Sequence, residues 1–302
     1  MTRDGQILYS RGFRGADNAH TQFSITSCSK WLIASTLMNL VDDGRLELDD
    51  PVIKYLPSFG GRKASITIRH LLSHTSGLPR RLKNHKGIAE SDLAKFVKRL
   101  GKRVELLTAP GKRFCYGNLS YQVAVRVAEV IENKPFHAIF KDRIATPCKM
   151  NNTRFPISGL GHGVSSATST TEDFSKFLTM FKNEGVSANG TRVLSANAVQ
   201  EMIENQTFGI EMGCVNRAAH QRSGRVEYGL GLWRERVDPI TKKPTAVSHF
   251  GTAGFRGVIN FAQNYIMVLG IQGKTFQKKQ FLTHRFQETL NLIDSLDFGD
   301  MP

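Results

Sequence analysis

The stretch Phe23–Gly44, FSITSCSKWLIASTLMNLVDDG, sets Ser27 and Lys30 three positions apart at the head of an apolar run. Apolar residues recur there at helical spacing and stop at Asp42-Asp43-Gly44, so a helix is expected from Ser27 to about Val41. A lysine head is costly to desolvate, and its position at the mouth of a buried helix needs a chemical reason. Side chains three apart share a helix face, which lets the Lys30 amine reach the Ser27 hydroxyl. Desolvation lowers a lysine pKa and leaves a neutral amine that can take the serine proton. Amides at the helix N-terminus would stabilise an oxyanion formed on that serine. Ser24 and Ser29 compete for the role, but neither has a lysine three residues on. S-x-x-K is common by chance, so its weight depends on what else the chain carries.

Two further motifs supply partners. PGKRFCYGNLSY holds Tyr116, Gly117 and Asn118. A tyrosine beside an ammonium is expected to have a lowered phenol pKa and to shuttle protons. Asn118 offers a donor and an acceptor for a lysine or a substrate amide. The plainer reading is a turn, with Asn118 capping the next helix. SHFGTAGFRG holds His249, Phe250 and Gly251. A strand with a glycine lets a substrate lie against its backbone, and the Thr252 N–H is the candidate second oxyanion donor. The plainer reading there is a strand end with a packed histidine.

The 302 residues suffice for one large domain or two interleaved ones, and no apolar stretch approaches a membrane span. The opening TRDGQILYSRGF does not read as a secretory leader, and the compartment stays open. Forty-one basic against 26 acidic residues leave a net charge of +15, which attracts anionic partners. The basic residues are spread out; the densest run, KFVKRLGKR, reads as the solvated face of a helix. No nucleic-acid signature accompanies them, so no nucleic-acid partner is expected. Cys28, Cys115, Cys148 and Cys214 lack paired spacing and read as free thiols, although Cys28 and Cys115 fall inside two of the site motifs.

Along the chain, GQILYSRGFRG reads as a strand. Helices are expected in TIRHLLSHTSGLP, in SDLAKFVKRLG with a serine cap, in NLSYQVAVRVAEVIENKP, in STTEDFSKFLTMFKNEG and in SANAVQEMIEN. YGLGLWRER, TAVSHFG, FRGVINFAQ and YIMVLGIQ are short, β-rich and separated by turns. KKQFLTHRFQETLNLIDSL closes the chain as an amphipathic helix. The first strand is expected to pair with the late ones. The fold class is therefore α+β: an antiparallel sheet flanked by helices, with a mostly helical part inserted.

Taken together, the three motifs resemble the serine β-lactamase-like hydrolases: class C β-lactamases, penicillin-binding D,D-peptidases and β-lactamase-fold esterases. LVDDGRLELDDPVIKYLP, ITIRHLLSHTSGLP, SATSTTEDFSKFLTMFKNEG, GTRVLS and YGLGLW follow in that group's order, so the likeness covers nearly the whole chain. The resemblance implies one β-lactamase-related domain over 1–302. A sheet part would comprise roughly 1–26 and 205–302, and a helical part roughly 27–204. It implies Ser27 as acylated nucleophile, Lys30 as base and Tyr116 as proton relay. Asn118 would position the substrate, His249 and Gly251 would stand at the K-T-G strand, and the Ser27 and Thr252 amides would form the oxyanion hole. No metal or cofactor is implied. The substrate would be a small ester, amide or β-lactam, with an esterase-like activity foremost. The alternatives are a D,D-carboxypeptidase or β-lactamase, and an impaired, penicillin-binding-like scaffold. Oligomeric state is left open.

Two departures stand out. His249 replaces a lysine that helps hold a substrate carboxylate, which weakens the β-lactam reading; Arg256 is a candidate replacement charge. The chain also starts late against the family pattern, as if truncated at the N-terminus, so a sheet edge is expected to lack its neighbour. Other motifs fall away. LGIQGKT has Val268 where a P-loop needs its first glycine. No G-x-S-x-G elbow occurs. His70 and His74 lack the glutamate of H-E-x-x-H and read as packing, and Gly159, Gly161 and Gly163 follow no suitable strand.

Overall fold

The long apolar helix α1 runs from Ser29 to Asp42 and is buried on nearly every side. Its start differs from expectation: Thr26–Cys28 form a separate 3₁₀ turn, so Ser27 lies just before α1. Gly44 ends the run with a left-handed backbone, φ +66°, as a glycine stop should. The computed structural model describes residues 1–3, 5–12, 19–82, 92–157, 167–214 and 227–271. The expected C-terminal helix and Gly159, Gly161 and Gly163 lie outside them.

Around α1 stand α2 (Ile68–Leu72), α3 (Leu93–Arg103), α4 (Leu119–Glu132), α5 (Phe136–Phe140), α6 (Thr171–Lys182) and α7 (Ala196–Ile203). The caps explain their starts. Thr67 and His70 form a reciprocal capping box on α2, which gives His70 its structural use. Asp92, and not the expected serine, caps α3 through the Lys95 amide, and the helix runs past Gly101 to Arg103. Thr170 and Ser195 cap α6 and α7. Asn133 closes α4 in a left-handed conformation.

The strands are β1 (Thr2–Arg3), β2 (Gln6–Ile7), β3 (Phe23–Ser24), β4 (Arg113–Cys115), β5 (Thr168–Ser169) and β6 (Glu211–Gly213). They continue with β7 (Glu227–Tyr228), β8 (Trp233–Val237), β9 (Pro244–Phe250), β10 (Arg256–Asn260) and β11 (Tyr265–Leu269). Among the described residues the main sheet has seven strands in the order β2-β1-β11-β10-β9-β8-β7, each pairing antiparallel. The first strand does pair with a late one, with Thr2 of β1 opposite Ile266 of β11. The expected single first strand is instead a small hairpin turning at Gly5, φ +81°, with exposed β2 at the sheet edge.

Helix α6 lies flat on this sheet. A Cβ on Gly257 would come within 2.4 Å of the Phe174 ring, so β10 needs a glycine under the helix. From α6, Phe177 and Phe181 meet Trp31 of α1 edge-on, at 5.7 and 5.1 Å. The core therefore runs from sheet through α6 to α1 and fixes where α1 begins relative to β9. No helix among the described residues is long and apolar enough to cross a membrane.

The reading of all four cysteines as free thiols is corrected here. Strands β4 and β6 pair in parallel with Cys115 opposite Gly213, and Cys115 is bonded to Cys214. Proximity created by strand pairing joins two residues 99 positions apart, which spacing could not reveal. Cys28 and Cys148 are free and buried. Cys214→Ser is expected to lower unfolding stability by about 2–4 kcal/mol, read from urea midpoints under oxidising conditions. An unchanged midpoint would mean the bond does not form in solution.

Candidate active site

Thr26 carries a left-handed backbone, φ +41°, unusual for a β-branched residue. This strained turn delivers Ser27 to the mouth of α1. Behind it, the Cys28 thiol donates to the carbonyls of His249 and Phe255, at 3.3 and 3.5 Å. Cys28 thus ties the turn to the sheet and does not meet Cys115; burial raises its pKa, so it stays a thiol. Gly251 completes the junction. A Cβ there would fall 2.2 Å from the Ile25 carbonyl oxygen and 2.3 Å from the Thr26 hydroxyl. The Ser27 and Thr252 amides therefore belong to two segments that touch, one from each side of the site.

Lys30 is fully buried. Its Nζ lies 3.3 Å from Ser27 Oγ and donates to Asn118 Oδ1 at 2.9 Å. The Tyr116 and Tyr121 rings enclose the amine, with centroids 5.0 and 5.8 Å away. Burial pulls the Lys30 pKa down to about 7; nearby Cys28 opposes the change and Arg80 assists it. The amine is consequently uncharged in a large fraction of molecules at neutral pH.

Tyr116 behaves differently from expectation. Its pKa is raised by burial, against a lowering from its hydrogen bond with Ser27. Both groups are deprived of water, and the uncharged pair of amine and phenol needs less solvation than ammonium and phenolate. Tyr116 is therefore a protonated donor at this site. Asn118 does occupy the N-cap position of α4, but its side chain makes no capping bond and turns to Lys30 instead.

His249 is buried, and burial together with Lys30 holds its pKa well below the ordinary value. Its Nδ1 lies 3.2 Å from the Phe250 carbonyl, which can only accept, so Nδ1 carries the proton. Nε2 then accepts from the Tyr116 and Tyr228 hydroxyls, each at 3.5 Å. The ring is neutral, unlike the lysine it stands in for. Arg256 does not fill that gap: its guanidinium pairs with Glu235 at 2.7 Å in the interior.

His74, Tyr228 and Trp233 complete the aromatic wall, and none was singled out in the sequence as a site residue. The His74 ring sits 4.4 Å from the Tyr116 ring and 5.0 Å from the Tyr121 ring, between centroids. Trp233 packs on Tyr116 at 5.2 Å and on Tyr228 at 4.6 Å. SHTSG and YGLGLW were visible as motifs, but nothing in their spacing says they face Tyr116.

The fold and this site together define a serine β-lactamase-like class. The chain belongs to the Beta-lactamase family, whose model matches residues 1–287. It is 32% identical over 180 residues to Esterase EstB of Burkholderia gladioli, covering 51% of this chain and 45% of that protein. It is 29% identical over 232 residues to Penicillin-binding protein 4 of Amycolatopsis lactamdurans, covering 66% and 60%. It thus spans about half the length of these curated relatives. A crystal structure of a β-lactamase-like protein from Bacteroides dorei DSM 17855 superimposes with a TM-score of 0.80 and 29% identity, covering 96% of this chain and 91% of that one.

A charged amine in this interior would cost on the order of 5 kcal/mol below pH 7, given its folded and ordinary pKa values. The folded pKa is depressed, so the folded state binds fewer protons and stability rises with pH between about 7 and 10.5. Lys30→Met is expected to raise the melting temperature, most below pH 7 and progressively less toward pH 10. A variant less stable than wild type throughout that range would show that the amine is not desolvated.

Proposed function

We propose that this protein is a serine hydrolase that forms an acyl-enzyme on Ser27, with esters of small acyl groups as its foremost substrates. The observation that carries the reading is the sharing of one hydroxyl, Ser27, between a buried amine near neutrality and a protonated phenol. Neutral Lys30 takes the Ser27 proton as Oγ bonds to the acyl carbon. Negative charge moves to the carbonyl oxygen, between the Ser27 and Thr252 amides. As the tetrahedral centre collapses, Tyr116 gives its proton to the leaving oxygen and regains one from the Lys30 ammonium. The ester bond breaks and the alcohol departs. In the second half, water attacks the acyl carbon while the Tyr116–Lys30 pair takes its proton. Ser27 leaves with that proton and free enzyme is restored. Asn118 holds Lys30 in place and offers its amide N–H to the substrate.

The esterase preference rests on His249. A neutral ring hydrogen-bonded to two tyrosines offers no charge at position 249, where the resemblance would set a lysine against the carboxylate of a penicillin or a D-alanyl peptide. An ester has no such requirement. The relative named Esterase EstB supports this reading, and the one named Penicillin-binding protein 4 keeps cell-wall chemistry as the competing outcome.

Wild type is expected to turn over p-nitrophenyl butyrate, with kcat/KM rising through a pKa of about 7 as Lys30 deprotonates. Ser27→Ala should abolish that turnover. Tyr116→Phe should lower kcat by about 10²–10⁴-fold with the fold retained by circular dichroism. Near-normal rates in Ser27→Ala would refute the nucleophile. Faster acylation by a fluorescent penicillin than by the ester would favour the cell-wall reading. A folded sample that shows neither reaction would favour a binding scaffold.

A further inference from the structure

The segment that leads from α2 to Arg80 is pinned at several points. Leu107 N–H donates to the Gly77 carbonyl at 2.8 Å, and the Ser76 and Ser120 hydroxyls bond at 2.9 Å. Cys115 N–H donates to the His74 carbonyl at 2.8 Å, and Asn118 N–H to the Arg80 carbonyl at 3.2 Å. The Arg80 backbone lies directly against Gly117: a Cβ there would meet the Arg80 carbonyl oxygen at 2.3 Å and its Cα at 2.5 Å. Arg80 is thus seated beside Tyr116 and Asn118 on a rigid base.

Its side chain is exposed, and among the described residues it makes no ion pair or side-chain hydrogen bond. The backbone contact with Gly117 and the bond from the Asn118 N–H set this residue at the Tyr116–Asn118 rim of the cleft, where its charge also helps lower the Lys30 pKa. Around the same cleft the other candidate cations are engaged: His249 is neutral and Arg256 is bound to Glu235. A guanidinium fork at that rim, with no partner among the described residues, is suited to receive an anion. The net charge of +15 raises the local concentration of such substrates.

We propose that Arg80 is a specificity-determining residue that receives a carboxylate of the substrate on the Tyr116–Asn118 side of the cleft. This rests on the hydrolase reading above and narrows it to anionic esters or amides. The family's usual cation site at position 249 is neutral here, so charge recognition has moved across the site to its rim. The carboxylate can sit on the acyl chain or on the leaving group, and the test separates the two.

Two matched pairs serve: mono-4-methylumbelliferyl succinate against 4-methylumbelliferyl butyrate, and 3-acetoxybenzoate against phenyl acetate. In each pair the anionic-to-neutral ratio of kcat/KM is compared between wild type and Arg80→Gln. One ratio is expected to fall about fivefold, the upper range for an exposed ion pair, mainly through KM. Arg80→Lys should recover most of it, and about 0.5 M NaCl should shrink it in wild type by screening. The pair that responds identifies where the carboxylate sits. Ratios untouched by Arg80→Gln in both pairs, or unmoved by salt, overturn this inference alone. Wild type that turns over none of the four esters overturns the hydrolase reading and this inference with it.

Discussion

The structure depends on keeping one amine out of water. Lys30 stands inside α1 with two tyrosine rings around it, and Ser27 and Asn118 are its polar neighbours. Every other feature of the site follows from that burial. The aromatic wall excludes solvent, and Asn118 gives up capping to bond the amine. The strained turn at Thr26 brings the serine hydroxyl within reach. Burial of this kind works against stability, and the large core of α1, α6 and the sheet offsets it. Trp31, Phe177 and Phe181 lie on the same helices that position the pair.

The second constraint is the close approach of β9 to the turn before Ser27. Gly251 touches Ile25 and Thr26, and Cys28 bonds back to the carbonyls of His249 and Phe255. The Ser27 turn and the end of β9 are therefore held against each other. Ser27 and Thr252, 225 positions apart in sequence, thus lie on two segments that touch. The disulfide plays a similar part on the opposite wall. It fixes β4, the strand that leads directly into Tyr116.

Charge is arranged with the same economy. The interior of the site disfavours charge: the phenol and the imidazole keep their uncharged forms and the amine titrates near 7, because none has water to stabilise an ion. Permanent charge stands either in a closed pair, Arg256 with Glu235, or at the rim, where Arg80 meets solvent. A site built this way suits acyl transfer, in which protons move between neutral partners and the developing negative charge is met by backbone amides.

What could be read from the chain alone was whatever depends on local period. The three-residue spacing of Ser27 and Lys30, the glycine stop at Gly44, the caps of α6 and α7 and the late run of short strands all follow from helix and strand geometry. The order of the motifs sufficed for the family. The tertiary structure decided what depends on surroundings. Tyr116 was expected to lose its proton more easily beside a lysine, but burial lowers the lysine's pKa to about 7 and raises that of the phenol. Asn118 could have been a cap until a distant helix supplied Lys30. Cys115 and Cys214 became partners through a strand pairing that no spacing announces. His74, set aside as packing, proved to pack on the Tyr116 ring itself. Sequence carries the period of a backbone; desolvation and contact between remote segments exist only once the chain has closed on itself.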